Sequence, residues 1–356
     1  MIISRTPYRI SFFGGGTDYP AWYRQHGGAV LASSIDKYCY LSCRHLPPFF
    51  EHRIRVVYSR IEDCHGIDEI KHPAVREILR HLRFERGAEI HHDGDLPARS
   101  GIGSSSSFCV GLLHALYALM GRMPSKRQLA LEAIHIEQGV LGETVGSQDQ
   151  MTAAYGGFNH IVFSENGEIS LRPVTLSERR LRELDAHLLL FFTGIKRTAS
   201  DVAASYVDNL DANKRHLRIM KDLVDEALAA LQSERDLAPF GELLHEAWIA
   251  KRGLSREVSN QEVDDIYQAA LAAGALGGKL LGAGGGGFLL LFASPDRHEA
   301  IKRALDRLIH VPFHFESGGS QIIFFDPETE YRDEERARAS GPRPVFRERG
   351  GPGSDG

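Results

Sequence analysis

Residues 96–108 read LPARSGIGSSSSF. Gly101 and Gly103 lead into four consecutive serines, Ser104 to Ser107, and then Phe108. Composition by itself assigns such a run to a flexible linker. The residues that follow reverse that reading. Phe108, Leu112, Ala115, Leu116 and Leu119 recur at helical spacing, and Gly121 ends the pattern. The serines therefore open a helix. The first N–H groups of a helix lack partners within it, and the aligned peptide dipoles place partial positive charge there. A glycine approach lets a ligand come close to those N–H groups, and serine hydroxyls add donors. Together they make a cradle for an anion such as a phosphate. A serine hydroxyl in that place can also ligate Mg²⁺.

The familiar phosphate motifs do not fit this stretch or the other glycine-rich ones. A Walker loop needs Ser or Thr after Gly-Lys, but Gly278-Lys279 is followed by Leu280. A dinucleotide fingerprint needs a third glycine where Ser106 stands. The H-R-D and D-F-G segments of protein kinases and the G-x-S-x-G elbow of hydrolases are absent from the chain. Two further glycine runs, Gly14–Gly16 and Gly284–Gly287, accompany the first. Each alone reads as a tight turn. Three of them, one at a helix start, shift the balance toward ligand binding.

The bulk properties are those of a globular chain. It has 356 residues, 42% hydrophobic and 25% charged, enough for two domains with a sizeable core. A net charge of −5 gives no overall field for nucleic acid or an anionic membrane, though a local anion site remains possible. Cys39, Cys43, Cys64 and Cys109 form no C-x-x-C pair and are too sparse for a disulfide scaffold. No signal-type apolar segment opens the chain, and no run is long enough to span a bilayer. A reduced, cytoplasmic setting without a membrane partner is the expectation.

Along the chain, strands are expected at Tyr8–Phe13, Ala29–Ser33, Lys37–Arg44, Arg53–Tyr58 and Ala88–His91, with a helix at Pro73–Arg83. Ser125 and Gln128 form a capping box for a helix reaching about Val140. LLLFF at 188–192 reads as a buried strand. Helices are expected over 200–232, 236–258, 264–273 and 296–308. GKLLGAGGGGFLLLF at 278–292 is a turn feeding another buried strand, and strands at 312–315 and 321–325 close the fold. Residues 327–356, rich in Arg, Glu, Pro and Gly, are expected to be disordered. His91 and His92 sit next to each other on a strand and so point to opposite faces; no zinc spacing accompanies them.

Three segments in this order resemble the signatures of the GHMP sugar-kinase superfamily, which includes galactokinase, homoserine kinase and mevalonate kinase. TPYRISFFGGGTDYP (6–20) is similar to the first, LPARSGIGSSSSF to the second and KLLGAGGGGFLLLF (279–292) to the third. The resemblance covers roughly residues 1–325. Within it, RISFFGGGTDYP, ASSIDKYCYLS (32–42), GIGSSSSF and VGSQDQMTAAYGG (145–157) look like the branch that phosphorylates D-glycero-D-manno-heptose 7-phosphate. Gly15 and Gly16 stand where galactokinases carry a charged pair, which argues against galactose. Fucokinases share G-G-G-T-D and are the nearest rival, and a sensor that binds sugar and ATP without catalysis is the other.

The resemblance implies an α+β fold of two domains. Residues 1–175 form a mixed α/β N-terminal domain and 176–326 a ferredoxin-like C-terminal one. It implies an ATP- and Mg²⁺-dependent kinase acting on the anomeric C1 hydroxyl of a phosphorylated sugar. Asp149 falls at the catalytic carboxylate, and Arg9 at the basic residue that pairs with it and offsets transition-state charge. A capping Asp and a surface Arg are the plain alternatives, the second weakened because Arg9 lies within an apolar strand. Pro97, Ser100, Gly101, Ile102, Gly103, Ser104, Ser105 and Ser106 fall on the nucleotide loop. Ser105 and Glu137 fall on the metal site, with Glu143 as a competing carboxylate. Gly15, Gly16, Thr17 and Asp18, with Gly285 and Gly286, fall at the substrate; an Asx-turn is nearly as good an account of Asp18. The 7-phosphate needs a second anion site, for which TGIKRTAS (193–200), with Arg197, is the candidate.

Overall fold

The computed structural model describes residues 1–195, 199–207, 210–326 and 333–334. The tail beyond 326, apart from 333–334, and Arg197 with its neighbours Lys196 and Thr198 lie outside the described residues.

Two sheets organise the chain. The larger has β1 (Ile2–Phe13), β2 (Gly28–His45), β3 (Ile54–Val57), β4 (Ile61–Cys64), β5 (Ala88–Gly94), β6 (Phe158–Phe163) and β7 (Ile169–Pro173). The smaller has β8 (Leu188–Phe192), β9 (Gly277–Leu280), β10 (Phe288–Phe292) and β11 (Ile309–His310). The final strand, β12 (Gln321–Phe325), returns to the larger sheet and pairs antiparallel with β1. β2 is long enough to serve two neighbours. Gly28–Ser33 pairs with β6, and Cys39–His45 pairs with β5.

In the smaller sheet the spatial order is β11-β8-β10-β9, every pair antiparallel. Counted in chain order that is 4-1-3-2. With helices between the first and second strands and between the third and fourth, this is the ferredoxin-like arrangement. β8 and β10 are almost wholly buried, which explains why both read as unbroken apolar runs.

Helix Ser104–Leu119 crosses one face of β1 and β2. It comes so close at Gly111 that an added Cβ would lie 2.8 Å from the Thr6 hydroxyl. Helices Leu210–Gln232 and Ala238–Arg252 of the second half also touch β1, which is therefore buried along nearly its whole length. An aromatic chain ties the two sheets together. Phe13 of β1 meets Phe240 edge-on at 5.2 Å between ring centres, and Phe240 meets Phe292 of β10 at 5.9 Å. The two halves share one continuous core.

Several elements differ from the sequence expectation. β1 begins at Ile2 because the buried hydroxyls of Ser4 and Thr6 find partners, Gly111 O and Ser320 Oγ, and so hide the strand's apolar pattern. The expected strand at 312–315 is not one: β11 lies at Ile309–His310, and Phe315 makes only an isolated bridge to Ile35. The span 200–232 is two helices, Ala199–Val207 and Leu210–Gln232. The helix capped by Ser125 runs regularly to Ile134 and continues as a π-helical turn, His135–Val140.

Candidate active site

The site forms where β1, the glycine turn after it, the serine helix and helix Gln148–Tyr155 converge. Arg9 is the middle of the constellation. Its Nε and Nη2 each donate to Asp149 at 2.7 Å, one to each carboxylate oxygen, and its Nη1 donates to Gly101 O at 2.6 Å. Its backbone N–H donates to Ile102 O. One guanidinium thus fastens a carboxylate to the glycine–serine loop. The Arg9 side chain is 5% exposed and that of Asp149 23%, so the pair is enclosed with one side of the carboxylate left open. Gly103 (φ +74°) lies against the pair, and a Cβ there would sit 3.1 Å from Arg9 Cγ.

The loop itself is held from behind by the second domain. A Cβ on Gly101 (φ +85°) would fall 2.6 Å from Leu281 O, and one on Gly287 would fall 2.2 Å from Ser100 O. The close approach of the two glycine-rich segments therefore needs glycine on both sides. Buried Lys251 donates to Leu280 O and Gly282 O, and buried Lys279 donates to Phe12 O, lacing β9 to β1. Burial lowers both lysines, Lys279 to about 7.

Most residues expected at the nucleotide loop make contacts that shape it. Ser100 donates to Pro97 O, Ile102 is fully buried as an anchor, and Ser104 Oγ accepts from the Arg99 N–H. Ser105 is exposed at the helix start. Ser106 and Ser107 turn inward, to Glu137 Oε2 at 2.8 Å and Pro7 O at 2.8 Å. The close hydroxyl partner of Glu137 is thus Ser106 rather than Ser105, which exerts only a weaker pull on the same carboxyl. Helical geometry is the reason: each step turns about 100°, so Ser105 faces outward while Ser106 and Ser107 face the interior.

The π-helical turn carries Glu137, which is buried and pushed up to about 7 mainly by that burial. Its Oε2 also accepts from Gln150, while its Oε1 has no partner. Glu143, half-buried, follows the turn and raises Glu137 further. Among the described residues no cluster of three His, Cys, Asp or Glu is placed to cage a metal. An orphaned carboxylate oxygen beside serine hydroxyls instead fits Mg²⁺, which takes one or two protein oxygens and fills its shell with phosphate and water.

Asp18 lies near Asp149. It is buried, accepting at Oδ1 from Gly16 N (2.9 Å) and at Oδ2 from Gln148 Nε2 (2.9 Å). Burial raises it, and the nearby Asp149 charge adds to the rise. Gly146 is required here, since a Cβ would lie 1.9 Å from Asp18 Oδ2. Gly15 is partly exposed beside Ser11 and Gln148, and Gly16 (φ +103°) makes the turn that delivers Asp18.

Three of the residues expected at the substrate are buried against protein partners. Thr17 is fully buried, its hydroxyl donating to Gly14 O and Ala29 O and accepting from Ala29 N, so it staples the turn to β2. Gly285 and Gly286 pack against Val258 and Ile195, and Gly285 N–H is taken by Val258 O.

Sequence reading missed Tyr19, Tyr206, Gln148 and Gln150. The hydroxyls of Tyr19 and Tyr206 meet at 3.2 Å, and the charges of Asp18 and Asp149 reach both rings. Tyr206 comes from the second domain, 57 positions beyond Asp149, where no local pattern could announce it. His91 pairs with Glu89, and His92 packs edge-on to Phe108.

Comparison with known proteins bears on the family and the fold. Residues 69–157 match the family model of the GHMP kinases N terminal domain, and residues 220–310 that of the GHMP kinases C terminal. The chain is similar to a D-glycero-alpha-D-manno-heptose 7-phosphate kinase of Campylobacter jejuni, 29% identical over 315 residues, 85% of this chain and 93% of that one. It is 25% identical over 342 residues to a galactokinase of Thermococcus kodakarensis, covering 85% and 92%. The fold matches the crystal structure of a D-glycero-D-manno-heptose 1-phosphate kinase from Bacteriodes thetaiotaomicron with a TM-score of 0.76, at 24% identity, over 92% of this chain and all of that one. With two family domains in order and the charged constellation between them, the chain belongs to the GHMP kinase family.

Proposed function

We propose that this GHMP sugar kinase transfers the γ-phosphoryl group of ATP to the anomeric C1 hydroxyl of D-glycero-D-manno-heptose 7-phosphate, giving the 1,7-bisphosphate. The observation that carries the reading is the Arg9 fork. It ties Asp149 to Gly101, and so holds a proton acceptor at the edge of a phosphate cradle. Asp149 takes the proton of the acceptor hydroxyl as its oxygen attacks the γ-phosphorus. Arg9 orients that carboxylate and offsets negative charge as the phosphoryl group moves. The free N–H groups at the start of helix Ser104–Leu119 receive the phosphates. Glu137, Ser106 and Ser105 would hold Mg²⁺, which screens the phosphate oxygens. Asp18 accepts hydroxyls of the sugar and sets its orientation, with the Tyr19–Tyr206 pair beside it.

The heptose 7-phosphate acceptor is supported by the similarity to the Campylobacter enzyme and by the glycines at 15 and 16. The segment around Arg197 is the candidate for the 7-phosphate. The test is turnover with MgATP across heptose 7-phosphate, heptose, L-fucose and galactose, with ³¹P NMR to locate the new phosphate. Heptose 7-phosphate with a C1 product is the expected outcome. Preference for an unphosphorylated sugar, or phosphate at another carbon, refutes the substrate. Absence of turnover with every sugar, with ATP bound, makes the chain a sensor. Arg197→Ala is expected to raise KM for heptose 7-phosphate far more than for ATP.

A further inference from the structure

The sequence G-S-Q-D-Q places a glutamine on each side of Asp149, and both are buried. Three consecutive residues at a helix start point in three directions, about 100° apart. Here each direction ends on a different acid-bearing site. Gln148 Nε2 donates to Asp18, Asp149 takes the Arg9 fork, and Gln150 Nε2 donates to Glu137. The three carboxylates come from distant parts of the chain: the turn after β1, the helix start itself and the π-helical turn.

We propose that Gln148 and Gln150 are positioning residues that divide the site between them, Gln148 fixing Asp18 for the acceptor sugar and Gln150 fixing Glu137 for the metal–nucleotide. The inference rests on the functional reading above. The choice of amide is chemically pointed. A Lys or Arg at either position would add a positive charge that competes with Mg²⁺ at Glu137 and with the sugar hydroxyls at Asp18. A glutamine donates a hydrogen bond and leaves the charge available. Among the described residues, Asp149 alone of the three forms an ion pair. Each amide also fixes one edge of its carboxylate. Gln150 and Ser106 both occupy Glu137 Oε2 and leave Oε1 open, and Gln148 and Gly16 take separate oxygens of Asp18.

The two functions are separable by measurement. Gln148→Met and Gln150→Met keep side-chain volume and remove the donor; Gln148→Asn and Gln150→Asn keep an amide but shorten its reach, and serve if a methionine variant does not fold. Binding of AMP-PNP is measured by calorimetry with and without Mg²⁺, and KM is measured for heptose 7-phosphate. Loss of one charge-assisted hydrogen bond is worth about tenfold. In the Gln150 variants the tightening of AMP-PNP by Mg²⁺ should fall about tenfold, with metal-free binding and sugar KM within about twofold. In the Gln148 variants sugar KM should rise about tenfold, with the Mg²⁺ effect unchanged. Variants that move both quantities together, or neither, overturn the division. A wild type that shows no Mg²⁺ effect and no turnover of the sugar would overturn the functional reading instead.

Discussion

Replacing Arg9 by Lys keeps the positive charge and removes the fork. The guanidinium makes three charge-assisted bonds at 2.6–2.7 Å, two to Asp149 and one to Gly101 O. A lysine ammonium is a single nitrogen on a shorter stem. It cannot reach both carboxylate oxygens and the Gly101 carbonyl together. At least one bond is lost, and each bond to a charged group contributes roughly 1.5–3 kcal/mol. Asp149 keeps some solvent contact, so water makes up part of the deficit and the loss stays within the range of a single such bond, about 2–3 kcal/mol. Expressed in the transition state, that is a fall of roughly 30- to 150-fold in kcat/KM. The assay is ADP release at saturating ATP with the sugar varied, run beside a thermal melt. Arg9→Met should lose more, because Asp149 then has no cation at all. A lysine variant within threefold of wild type would refute the claim that the fork, rather than the charge alone, sets the base.

Other outcomes follow from the same geometry. Gly101→Ala should weaken AMP-PNP binding at least tenfold by calorimetry, because positive φ costs an alanine about 1–2 kcal/mol and its methyl would meet Leu281 O. Thr17→Val should lower stability by about 1–3 kcal/mol in denaturant titration while leaving sugar KM within twofold, since its hydroxyl serves the turn and not the cleft. Lys279 is held near 7 by burial, below its ordinary value. Between pH 7 and that value the unfolded chain binds more protons than the folded one, so this residue makes stability rise with pH. The difference in melting temperature between Lys279→Met and wild type should therefore be largest below pH 7 and shrink from pH 7 toward pH 10.

Much of this was legible in the residues because it is local. The serine run followed by an apolar stripe fixes a helix start, and Ser125 with Gln128 fixes another; both stand in the structure. The unbroken apolar run at 188–192 and the one ending at Phe292 became central strands for the reason that makes them readable, burial on both faces. Arg9 and Asp149 were paired only through family resemblance. They lie 140 positions apart, and no periodicity links them. What escaped depends on tertiary contact. The glutamines at 148 and 150 look like ordinary helix residues until Asp18 and Glu137 are brought to them. Thr17 stapling its turn and Ser106 meeting Glu137 were likewise hidden, because a one-residue step on a turn or a helix decides which hydroxyl faces inward. Strand β12 rejoins the first sheet, a crossover that apolar patterning alone does not reveal.

The account depends most on Asp149 acting as the base. Asp149→Asn keeps the shape and removes the proton acceptor, and general base catalysis contributes about 10²–10⁴-fold. Turnover and AMP-PNP affinity should be measured on the same preparation. The prediction is a fall in kcat of at least about a hundredfold, with the nucleotide Kd within about threefold of wild type. An asparagine variant that turns over within about tenfold of wild type would contradict the account.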